Sequence, residues 1–123
     1  MKVKELTKAE EEVMQILWDL KVAFVKELIA QMPEPKPAYN TVSTIVRILE
    51  QKKMVGYKAF GKSHQYYPLI SKEQYSTYKM KNLMQGYFSG SLSNMVSFFV
   101  ENNDVNTSEL NELLKLIEEE KKK

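Results

Sequence analysis

The chain has 123 residues, room for one ordinary domain or one small domain with a helical extension, and too few for two catalytic domains. Hydrophobic residues at 43%, charged residues at 28% and a stock of five Phe, seven Tyr and one Trp predict a globular fold, while the lack of cysteine and a single His exclude disulfides, a thiolate site and a typical zinc site. The formal charge of +2 conceals a reversal: residues 5–34 carry a net −4 and residues 36–67 a net +5, which marks the second stretch as the part suited to a polyanion.

At the start of the chain, residues 1–10 are charged and lack an apolar signal core, and no apolar run is long enough to span a bilayer. A soluble cytoplasmic protein without membrane insertion is expected. Leu6, Ala9, Val13, Ile16, Leu17 and Leu20 follow helical spacing, and Thr7 with Glu10 has the form of a capping box, so a first helix is predicted over residues 8–20. Trp18, one turn after Met14, reads as a packing residue. Val25, Leu28, Ile29 and Met32 mark a short second helix, stopped by Pro33, Pro35 and Pro37.

A third helix is predicted over residues 38–53, with Val42, Ile45, Leu49 and a neighbouring Val46 or Ile48 on its buried face. Its other face carries Asn40, Thr41, Ser43, Thr44 and Arg47, where an ordinary solvated helix carries Glu and Lys. Short polar side chains of this kind can approach base edges and phosphates closely. Arg47 suits either a bidentate guanine contact or a phosphate contact, and Tyr39 either a stacking or phosphate contact or a place in the core.

Residues 54–60 and 64–69 are β-type runs joined by Gly61, Lys62 and Ser63, a hairpin with Lys58, Lys62 and Ser63 placed to touch phosphates. Ser71 with Gln74 opens a long helix through Tyr75, Tyr78, Leu83, Met84 and Tyr87, broken at Ser89 and Gly90. A fifth helix places Leu92, Met95, Val96 and Phe99 inward. Asn106 with Glu109 starts a last one, striped by Leu110, Leu113, Leu114 and Ile117. Residues 118–123 read as a solvated end.

The order of helix, helix, helix, hairpin and further helices predicts a mainly α protein with a small β-hairpin wing: a winged helix-turn-helix over residues 1–70 and a helical dimerisation region over 71–123. The surplus helices suit pairing with a second copy, through Tyr75, Tyr78, Met84, Tyr87, Phe88 and the Leu110, Leu113, Leu114 and Ile117 stripe. An enzyme is not expected. The chain has no Gly-rich phosphate loop and no Ser/His/Asp set, and its acidic runs at 10–12 and 118–120 read as solvated. His64 is assigned no chemistry, and no cofactor or metal is expected.

The segments LTKAEEEVMQILWDL, AYNTVSTIVRILEQKKMV, HQYYPLIS and YFSGS resemble the penicillinase repressor family, the BlaI/MecI/CopY type of bacterial winged-helix regulators, over essentially the whole length. The resemblance implies a homodimer that binds a palindromic double-stranded DNA operator before resistance or stress genes and represses transcription. In the β-lactam branch it further implies release by a membrane sensor metalloprotease that cuts the fifth helix at an Asn-Phe bond. The matching bond here is Phe98-Phe99. The copper-responsive branch uses a C-terminal cysteine cluster, which this chain lacks. The alternative reading is a winged-helix protein-interaction module that does not bind DNA.

Overall fold

In the computed structural model, which describes residues 3–102, 106, 108–112, 114 and 115, Thr7 opens the first helix, α1 (Lys8–Leu20). The Thr7 hydroxyl accepts the Glu10 N–H at 3.2 Å and the Glu10 carboxylate accepts the Thr7 N–H at 3.1 Å, the reciprocal bonds of a capping box. Val13, Met14 and Leu17 form the buried stripe of α1, while Ala9, expected on that stripe, is exposed. Its place near the helix start is taken by Glu10, one position on.

The next helices are α2 (Val25–Ala30) and α3 (Tyr39–Gln51), joined by the proline-bearing residues 31–38. Lys36 closes the end of α2: its ammonium donates to the carbonyls of Ile29, Ala30 and Met32 at 3.2, 3.2 and 2.7 Å. A Schellman motif closes α3, with Met54 N–H donating to Leu49 O and Lys53 N–H to Glu50 O, both at 2.9 Å. Lys53 takes the left-handed conformation, φ 62°, that glycine adopts more easily. Leu49 and Met54, which the motif brings together, are fully buried.

The hairpin pairs β1 (Val55–Phe60) with β2 (Ser63–Pro68), antiparallel, in a register that sets Phe60 opposite Ser63. The two-residue turn between them is made possible by Gly61 at φ 63°. A further tie was not visible in the sequence. Ala23, between α1 and α2, pairs with Tyr66, donating at 3.0 Å and accepting at 2.8 Å, so the hairpin is bonded through main chain to the helical layer.

Around these elements the core gathers Leu6, Val13, Met14, Leu17, Leu28, Val42, Val46, Leu49, Met54, Val55, Tyr66 and Ile70. On α3 the buried positions are Val42, Val46 and Leu49; Ile45, expected there, is half-buried at the edge, because Val46 lies nearer the centre of the stripe. Trp18 packs at the periphery and donates its indole N–H to Ile70 O at 2.8 Å.

Helix α4 (Lys72–Tyr87) starts at the expected box, with Ser71 Oγ accepting from Gln74 N–H at 3.0 Å and Gln74 Oε1 from Ser71 N–H at 2.9 Å. The chain forms two compact units, Met1–Tyr78 and Lys79–Lys123. In the second unit, Ser89 and Gly90 have positive φ, and Ser91 caps α5 (Leu92–Glu101) through Asn94 N–H at 3.1 Å. Met95 is buried on α5; Leu92, expected inward, is exposed, as it sits in the first turn beside the cap. Asn106 Oδ1 accepts Glu109 N–H at 2.8 Å, the expected cap of the helical residues 108–112 and 114–115. The run at 118–123 lies outside the described residues.

Candidate nucleic-acid interface

The polar side of α3 follows from where its apolar side goes. With Val42, Val46 and Leu49 buried, helical geometry turns Asn40, Thr44, Arg47 and Gln51 outward as one exposed stripe. Thr41 is exposed on its flank and Ser43 is half-buried on the other. Thr44 Oγ1 donates to Asn40 O at 2.8 Å, so its hydroxyl retains its acceptor lone pairs for another group. No side chain caps the start of α3 and no acid stands in its first turn, which leaves that helix end electropositive. Tyr39, the first residue of α3, is 52% exposed, which places it on this surface and not in the core. Gln51 extends the stripe; its single amide carried no signal in the sequence.

The local excess of positive charge is partly committed to the fold. Lys36 holds the end of α2, as described, and Lys52 reaches Glu10 at 2.6 Å and Glu5 O at 3.2 Å. Glu10 is buried, in contrast to the solvated carboxylate expected. Burial would raise its pKa, but Lys52 and the Thr7 N–H outweigh that and hold the carboxyl below its ordinary value. Glu11 is also not simply solvated, because it accepts the Tyr75 hydroxyl at 2.7 Å.

The cations left are Arg47 on α3, Lys53 just after it, and Lys58 and Lys62 on the wing, all exposed, with Ser63 exposed on the wing as well. The Lys58 ammonium lies 5.5 Å from the centre of the Phe60 ring, and Phe60 meets Phe24 edge-on at 5.8 Å. Tyr57 and His64 stack across the hairpin at 4.2 Å and 12°. Gly56 faces Tyr67 so closely that an added Cβ would meet the ring at 2.8 Å.

Between α3 and the hairpin lies a cleft of about 260 Å³, lined by Val25, Tyr39, Ser43, Arg47 and Glu50 from the helices and by Tyr57, Lys62, His64 and Tyr66 from the hairpin. Four of the residues singled out in the sequence, Tyr39, Ser43, Arg47 and Lys62, are brought together here. Asn40, Thr41, Thr44 and Lys58 are not among the lining. Of the lining residues, Tyr66 has its pKa raised by burial and then by Glu50, with Arg47 acting in the opposite sense.

The residues expected at a dimer interface separate. Tyr75 is buried in the first unit, where it packs on Trp18 at 5.9 Å and on Tyr78 at 5.9 Å, so its ring is occupied within its own chain. Burial and the bond to Glu11 raise its pKa well above the usual phenol value. In the second unit Tyr87 is 80% exposed, and with Leu83, Phe88, Phe98 and Phe99 it lines an apolar groove of about 420 Å³. Met84 and Leu110 are half-buried and Leu114 is exposed; Leu113 and Ile117 lie outside the described residues. The Phe98-Phe99 bond lies within α5, with Phe98 exposed and Phe99 half-buried. Among the described residues no cluster could hold a metal ion, and no helix is long and apolar enough to cross a membrane.

Three helices, the third of them following the turn with an exposed polar side, and a hairpin wing define a winged helix-turn-helix protein. The chain belongs to the penicillinase repressor family, whose model matches residues 6–119. It is 27% identical over 121 residues to the penicillinase repressor of Bacillus licheniformis, covering 98% of this chain and 94% of that protein. It is 29% identical over 117 residues to the methicillin resistance regulatory protein MecI of Staphylococcus aureus (strain N315), covering 94% and 95%. The solution structure of the DNA binding domain of the repressor BlaI is similar in fold, with a TM-score of 0.52 and 24% identity over 60% of this chain and 92% of that one. The family is one of transcriptional repressors, not of enzymes.

Proposed function

We propose that this chain is a transcriptional repressor that binds double-stranded DNA. The observation that carries the reading is the α3 stripe of Asn40, Thr44, Arg47 and Gln51, exposed along a helix whose opposite side is buried and which has a lysine-bearing wing beside it. An α-helix of this width enters the major groove, and a hairpin at its side meets the adjoining sugar-phosphate backbone. In this reading Tyr39, Asn40, Thr41, Ser43, Thr44 and Arg47 contact DNA from α3, and Lys58, Lys62 and Ser63 from the wing.

The finer parts of the reading are a homodimer and a palindromic operator. The DNA-binding domain is taken as residues 1–70 and the dimerisation region as 71–123. Tyr78, Met84, Tyr87, Phe88 and the Leu110, Leu113, Leu114 and Ile117 stripe are the residues offered for pairing, and the apolar, solvent-facing rings of Tyr87 and Phe98 support it. Two recognition helices then meet half-sites about 34 Å apart or a multiple of that spacing. Release is assigned to a membrane sensor metalloprotease that cuts at Phe98-Phe99 and separates the pairing region from the DNA-binding part.

The test is a mobility shift of the full chain on DNA from around its own gene, followed across salt concentration. Binding that weakens steeply with salt supports the reading, since each phosphate contact adds about −0.9 to the log–log slope. No shift at low salt refutes it and favours a protein partner for the same surface.

A further inference from the structure

We propose that the cleft between α3 and the wing seats one phosphate of the DNA backbone, and that Arg47 clamps this phosphate and does not read a base edge. The inference rests on the DNA-binding reading above and deepens it. Arg47 alone among the residues of the exposed stripe also lines the cleft, where Lys62 reaches the same space from the hairpin turn. Two cations carried on different elements thus converge on one concavity, whose lining also includes the hydroxyl-bearing residues Ser43 and Tyr39. A planar guanidinium beside an ammonium, backed by hydroxyl donors, is the chemistry of a phosphate site.

Position supports the same assignment. When a helix lies in the major groove, base edges are met by the side chains on its outer crest, and the backbone passes where helix and wing adjoin. Asn40, Thr41 and Thr44 are exposed and stand outside the cleft lining, which leaves them as the base readers. Glu50 also lines the cleft, three residues after Arg47 on α3. Its carboxylate opposes a phosphate there, so it restrains affinity without regard to sequence.

The experiment measures binding of the full chain to two duplexes, one recovered by selection from a random pool and one a shuffled version of it, by fluorescence anisotropy from about 50 to 200 mM salt. Arg47→Ala is expected to weaken both affinities by the same factor, on the order of tenfold, and to leave their ratio unchanged. It should also reduce the steepness of the salt slope by about 0.9 for each bound chain. Arg47→Lys restores most of the slope, and Glu50→Gln tightens binding to both duplexes alike. Should Arg47→Ala fail to fold, Lys62→Ala in the exposed turn carries the same expectation of an unchanged ratio and a shallower slope. A ratio that collapses toward one in Arg47→Ala, with an unchanged slope, assigns Arg47 to a base and overturns the inference. If the unaltered chain binds neither duplex, the DNA-binding reading itself fails, an outcome distinct from the previous one.

Discussion

Lys52→Met strands a buried carboxylate. Lys52 follows the last residue of α3 and Glu10 lies in the first turn of α1, so their 2.6 Å contact pins α3 to the first helix of the bundle. Fully exposed pairs contribute about 0–1 kcal/mol, whereas removing one partner of a fully buried pair costs about 3–5 kcal/mol. With 6% of the Glu10 side chain and 25% of the Lys52 side chain exposed, the loss should fall between these, about 2 kcal/mol. For a domain of this size that lowers the thermal midpoint by on the order of 10 °C. Glu10→Gln in the same background should recover part of the loss, because no unpaired charge is then buried. The pair also predicts an acid dependence. Because the folded carboxyl is held below its usual value of 4.5, its stabilisation is complete above that pH and fades as the pH falls below it. Urea unfolding followed by circular dichroism at neutral pH and near pH 3 measures both effects. A Glu10→Gln chain that differs from the unaltered chain by the same amount at both pH values would refute the reasoning.

Lys53→Gly is expected to stabilise the chain by about 0.5–1 kcal/mol in the same unfolding assay, since glycine takes the left-handed end of α3 without a Cβ penalty. Tyr75 should make stability fall as the pH rises above 10, where the unfolded phenol ionises and the folded one does not; Tyr75→Phe should flatten that decline and cost about 1.5–3 kcal/mol at neutral pH, both read from pH-dependent melts. Tyr87→Glu should shift the chain toward monomer in sedimentation velocity while leaving the melting of the first unit unchanged, and an unaltered mass would remove Tyr87 from the pairing surface.

Local rules account for what was legible in the sequence. The Thr7, Ser71 and Asn106 caps involve partners three residues away, and each forms as spacing implies. The buried stripe of α3 was readable in Val42, Leu49 and the Val46 offered beside Ile48, and only Ile45 was placed too deep. What stayed hidden depends on distant partners. Glu10 looks solvated beside Glu11 and Glu12 until Lys52, 42 residues on, is brought to it by the fold. The same contact, with the one made by Lys36, means that a tally of charge along the chain overstates what is free to meet a polyanion. Tyr39 was ambiguous because an aromatic at a helix start packs or protrudes according to neighbours on other elements. Tyr75 looked like an interface aromatic, but Trp18 and Glu11, both on α1, claim its ring and hydroxyl.

The Ala23 and Tyr66 pairing joins the wing to the helices through amide and carbonyl groups alone. That tie does not depend on the exposed side chains of Lys58, Lys62 and Ser63, which form a variable nib on a fixed holder, while Gly61 keeps the turn and Phe60 its contact with Phe24. In the proposed DNA complex, substitutions at these three positions would retune the contact with the duplex while the bearing of the hairpin is retained.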